Sequence, residues 1–60
     1  MWIISKSTGL FNVRNFSHFY EDSGVTYGYS ESCNFVVSMA PILDRITEAI
    51  KRGYPFLEVE

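Results

Sequence analysis

Two hydrophobic periods divide the chain. From Ile42 onward apolar residues recur at Ile42, Leu43, Ile46, Ala49 and Ile50, the i, i+1, i+4, i+7, i+8 spacing of one helical stripe. Asp44, Arg45, Thr47, Glu48, Lys51 and Arg52 fall on the opposite face. The pattern predicts a helix over Pro41 to Gly53. Pro41 suits a first turn, where its missing N–H has no helical partner anyway. Asp44 sits near the positive end of the helix dipole, and Lys51 and Arg52 sit near the negative end. Glu48 and Arg52 form an i, i+4 pair. Gly53 is placed to cap the helix in a left-handed conformation, and Pro55 keeps it from resuming. The start is weaker: Ala40 precedes a proline and has no side-chain acceptor, and Ser38 serves as a cap only if the helix starts earlier. A helix of about twelve residues is marginal alone in water. It must lay its stripe on an apolar surface, and the residues before it are the only source of one.

Those residues read as strand and turn. Met1 to Ser5 is a short apolar strand, Lys6 to Gly9 a polar turn, and Leu10 to Val13 a second strand, together a β-hairpin. After the break at Arg14 and Asn15, Phe16 to Glu21 forms a third strand. Asp22-Ser23-Gly24 is a turn cluster. Val25 to Ser30 alternates, with Val25, Tyr27 and Tyr29 on one side. Glu31 and Ser32 turn the chain into a fifth strand, Cys33 to Ser38, with Cys33, Phe35 and Val37 on one face. Phe56 to Glu60 follows the helix as a last strand, Leu57 and Val59 opposite Glu58 and Glu60.

Short loops favour sequential antiparallel pairing. The expected fold is a single α+β domain over residues 1–60: an antiparallel β-meander of about five strands, one C-terminal amphipathic helix packed on one face, and a short final strand, in the order βββββαβ. One helix is about 10 Å across. Five strands at roughly 4.8 Å spacing are about twice as wide. The helix leaves part of one face bare and the other face untouched, yet apolar residues fall on both. Exposed apolar area of that kind marks an association surface.

Composition sharpens this. Ten of the 60 residues are aromatic and 47% are hydrophobic. A domain this small buries only roughly 60% of its unfolded surface and generally needs a staple or a partner. A lone cysteine, Cys33, makes no internal disulfide, and no ligand set suggests zinc. Oligomerisation is the remaining device. The net charge of −2 removes the electrostatic drive towards nucleic acid or anionic membrane. No stretch approaches a membrane span, and no basic region with a long apolar run opens the chain, so a cytoplasmic location is expected. The sequon at Asn15-Phe16-Ser17 is then a chance match.

Candidate chemistry is thin. His18, Glu21 and Asp22, with Cys33 as a further ligand, suggest an acid/base or metal cluster, but His18 and Glu21 are an odd number apart in a strand and face opposite sides. Cys33 has only His18 as a potential base and reads as a small buried thiol rather than a nucleophile. Tyr20, Tyr27, Tyr29 and Phe19 near Arg14 resemble a stacking platform for single-stranded nucleic acid, yet such sites need a basic groove, and cross-strand tyrosine pairing explains them better. The four glycines make no phosphate-binding loop. No catalytic residue, metal or cofactor is expected, and the chain does not read as an enzyme.

The opening Met1-Trp2-Ile3-Ile4-Ser5, the Leu10-Phe11-Asn12-Val13 segment after a polar turn, and Phe16 beyond it carry a resemblance. They look like a group of short uncharacterised proteins of Gram-positive bacteria and their phages and prophages. That group begins with a Trp/Ile-rich strand, a polar turn and a Leu-(Ile)-Asn segment. It ends with an amphipathic helix and a short aromatic strand, as Ile42 to Ile50 and Tyr54 to Val59 do here. The resemblance covers both ends of the chain but not Ser17 to Ser38. It implies a bacterial or prophage origin and transfers no catalytic residues.

The leading expectation is a small protein-interaction module, homodimeric through its sheet, with an interaction surface drawn from Trp2, Phe11, Phe19, Tyr20, Tyr27 and Tyr29. The alternative is an accessory protein of phage or prophage origin that binds single-stranded or duplex nucleic acid.

Overall fold

A computed structural model describes residues 1–60. The strands are β1 (Trp2–Ser5), β2 (Gly9–Asn12), β3 (His18–Asp22), β4 (Val25–Ser30), β5 (Cys33–Ser38) and β6 (Phe56–Val59), with the helix α1 (Leu43–Arg52) before the last. The chain is a small α+β fold, and the order of five strands, helix and strand is present. The single meander is not. The strands form two three-stranded sheets, β2-β1-β6 and β3-β4-β5.

The split occurs at Val13–Asn15, which forms a 3₁₀ turn. Asn12 starts it by accepting the Arg14 N–H on its Oδ1 at 3.1 Å, and Phe16 N–H closes it on the Val13 carbonyl at 3.1 Å. A side chain that competes for backbone donors in this way ends a ladder. β3 therefore leaves in a new direction instead of pairing with β2. The vacant place beside β1 goes to β6, which pairs with it in parallel, Trp2 opposite Phe56 and Ser5 opposite Val59. Parallel pairing needs a long crossover. Here the whole of β2 to α1 supplies it.

Both tight turns of the second sheet are two-residue loops with positive φ at each central residue: Ser23 (53°) and Gly24 (79°), then Glu31 (49°) and Ser32 (67°). This is the type I′ signature, whose twist matches that of the flanking strands. Between β4 and β5 the register shifts, so that Thr26 opposes Ser38 and Tyr27 opposes Val36. The bulge releases Val37 from the ladder, and Val37 and Ser38 are both fully buried.

The core is Ile3 from β1, Val37 from β5, Ile42 and Ile46 at the helix, and Val59 from β6, with Phe11, Val13, Phe19 and Leu57 packed around it. The inner faces of the two sheets thus help to bury each other, and α1 lies against β3 and β6. Of the expected stripe, Ile42, Ile46 and Ala49 are buried and Leu43 is half-buried, but Ile50 is 52% exposed.

Both helix ends are closed. Gly53 adopts φ 71°. Its N–H reaches the Ile50 carbonyl at 3.1 Å while Tyr54 N–H reaches Ala49 at 3.0 Å, a Schellman closure. The N-terminal caps come from distant strands. Thr26 Oγ1, fully buried, donates to the Ala40 carbonyl at 2.8 Å and accepts the Ile42 N–H at 2.9 Å. Glu21 Oε1 on β3 accepts the Leu43 N–H at 3.0 Å, and a carboxylate suits the positive end of the dipole. Ser38 Oγ accepts the Ala40 N–H just upstream.

Candidate interaction surfaces

The outer face of β2-β1-β6 carries two cross-strand rows. Asn12, Trp2 and Phe56 form one, and Leu10, Ile4 and Glu58 form the other. Trp2 is 44% exposed, Leu10 63% and Phe56 54%. Nothing in the chain lies over them. Arg45 reaches from the helix to this sheet's β6 border, its Nη2 donating to the Glu58 carbonyl at 3.0 Å. A bond of this kind blunts an exposed edge strand.

The outer face of β3-β4-β5 is an aromatic ladder. His18 stacks on Tyr29 (centroids 5.1 Å apart, planes at 17°) and Tyr20 stacks on Tyr27 (5.2 Å, 17°). Each is a directly opposed cross-strand pair. His18 and Tyr20 rings lie 5.9 Å apart, and Tyr20 Oη donates to Asn34 Oδ1 at 2.7 Å. The tyrosines are half-buried by one another.

Between the sheets, on the side away from the helix, a slot of about 450 Å³ opens at β2. Phe11, Phe16 and Phe35 supply its apolar lining, with Leu10 at the rim and Glu31 among the polar residues. Phe16 is the hub: its ring meets Phe11 at 6.0 Å, Phe19 at 5.1 Å and Phe35 edge-on at 6.0 Å. Such offset and T-shaped contacts are the favoured ones for aromatic rings.

The six residues expected to form one surface therefore lie in three places. Trp2 stands on the outer face of the first sheet. Tyr20, Tyr27 and Tyr29 stand on the outer face of the second. Phe11 and Phe19 are packed against the core. Cys33 is exposed, not buried as its alternation with Phe35 and Val37 suggests, because it sits at the mouth of the β4–β5 turn opposite Ser30. His18 pairs with Tyr29 and Tyr29 with Asn34, which puts His18 and Cys33 on opposite faces of the sheet. No group of three or more His, Cys, Asp or Glu side chains converges, and no helix is long and apolar enough to cross a membrane.

Leu10 and Phe56 are exposed apolar residues of this face that the strand pattern does not single out. Their parity relative to Ile4 and Trp2 carries the signal, but only once β6 is known to lie beside β1. No family model, curated protein or solved structure matches the chain.

Proposed function

We propose that the chain is a small protein-interaction module that self-associates through the outer face of β2-β1-β6. The observation that carries this reading is the open row of Trp2, Ile4, Leu10 and Phe56 on a sheet whose inner face is already buried. Large aromatic anchors at the centre of a patch are what interfaces use.

Size decides how tight such a dimer is. Three strands of four residues span roughly 14 Å by 14 Å. A stable interface needs about 800 Å² per partner. The sheet face alone falls short, and Ile50 and Tyr54, just before β6 in the chain, are further exposed apolar residues. The dimer is thus a weak one, with a dissociation constant in roughly the micromolar range or above.

Size-exclusion chromatography with light scattering, run from about 1 to about 200 µM, tests it. A mass rising towards twice 6.9 kDa is expected. A fixed monomer mass over the whole range refutes it.

A further inference from the structure

We propose that the slot beside β2 is a peptide site: it takes an extended, basic segment of a partner as an added strand. This deepens the interaction-module reading by naming the partner's chemistry. It does not need the dimer, and a chain that stays monomeric leaves it standing.

Backbone geometry supplies the first argument. Val13 N–H bonds the Met1 carbonyl at 3.0 Å, and the β1–β2 register then puts the hydrogen-bonded pairs at Ile3/Phe11 and Ser5/Gly9. Antiparallel pairs alternate, so the N–H and C=O groups of Leu10 and the N–H of Asn12 point away from β1, out of the sheet, while the Asn12 carbonyl begins the 3₁₀ turn. β2 is an edge strand of its sheet. The other border of that sheet, β6, has Arg45 bonded to it. An unguarded edge is a template for strand addition.

The lining supplies the second. Phe11, Phe16 and Phe35 form an apolar floor beside that edge, able to seat the alternate side chains of an added strand. A volume of about 450 Å³ falls within the range of functional pockets.

Charge supplies the third and selects the partner. Glu31 lines the slot, no lysine, arginine or histidine does, and the chain's one ion pair is Arg52 with Glu48 on the helix. The carboxylate is left to complement a cation from outside. A lysine or arginine beside apolar residues fits, whereas an acidic segment would meet Glu31 with like charge.

The probe is acetyl-Val-Lys-Phe-Lys-Val-amide, titrated to about 2 mM into the ¹⁵N-labelled full chain. Saturable shifts are expected at Leu10, Asn12, Phe16, Glu31 and Phe35. Glu31→Asn, which removes the charge and suits the left-handed turn position, should weaken binding about fivefold. N-methylation of the peptide amides that face β2 should abolish binding at unchanged peptide charge. The proposal is overturned by absent saturation, by shifts confined to Trp2 and Phe56, or by binding indifferent to N-methylation or to Glu31→Asn. Slot resonances that move with protein concentration alone would assign the slot to a second copy and overturn it equally.

Discussion

The ring of Phe16 lies directly over Gly28. A Cβ built on Gly28 would sit 2.7 Å from Phe16 Cδ1 and 2.8 Å from Cε1, with Phe19 Cε1 at 3.1 Å. Glycine at the centre of a strand costs stability in general, and here it is what lets the aromatic hub close onto β4. Gly28→Ala should therefore destabilise the fold by about 1–3 kcal/mol, read as a lower urea midpoint at unchanged slope. Combining it with Phe16→Ala should give less than the sum of the two single losses, because the second change removes the clash.

Thr26 ties the helix start to β4 with a single hydroxyl. Thr26→Val keeps the shape but strands the Ala40 carbonyl and the Ile42 N–H in a buried site. The expected loss is about 1–3 kcal/mol, and Thr26→Ser should retain most of the stability. Thermal denaturation followed by circular dichroism separates the two.

The β4–β5 turn holds two non-glycine residues at positive φ, Glu31 and Ser32. Replacing them with Asn-Gly, the pair that type I′ turns prefer, should raise stability by about 1 kcal/mol. An unchanged or lower melting temperature would contradict the turn assignment.

Trp2 is the only tryptophan, so its fluorescence reports on the outer face of the first sheet without a label. Emission should shift to the blue as the protein is concentrated through the dimer range. Trp2→Thr should abolish the concentration dependence of mass while leaving the far-ultraviolet circular dichroism unchanged, since a β-branched residue suits a strand surface.

The helix was legible from its residues because its signals are local: the stripe from Ile42 to Ile50, Glu48 with Arg52, and Gly53 at the end. The hairpin turns were legible for the same reason. What escaped was set by distance. Glu21 and Thr26 cap the helix from 22 and 16 residues upstream, and nothing in their own neighbourhood announces it. Asn12 ends the first hairpin through one side-chain bond, although it reads as an ordinary strand residue. That bond turned one expected meander into two sheets. Phe11 faces inward because it pairs with Ile3, and β6 brings Phe56 out beside Trp2. The split into two sheets separates Trp2 from the tyrosines, and strand alternation turns Phe11 away from Trp2 and Phe19 away from Tyr20.

The parallel seam between β1 and β6 also governs when the molecule can finish folding. β3, β4 and β5 are joined by two-residue turns and can zip together as soon as they are made, whereas Trp2 to Ser5 must wait for Phe56 to Val59 to arrive from the far end of a long loop. A nascent chain halted before Phe56 carries its central strand half-paired, with Ile3 opposite Phe11 but lacking Leu57. Completion of the first sheet is thereby the late event, and β1 and β2 wait as a hairpin until β6 has been made.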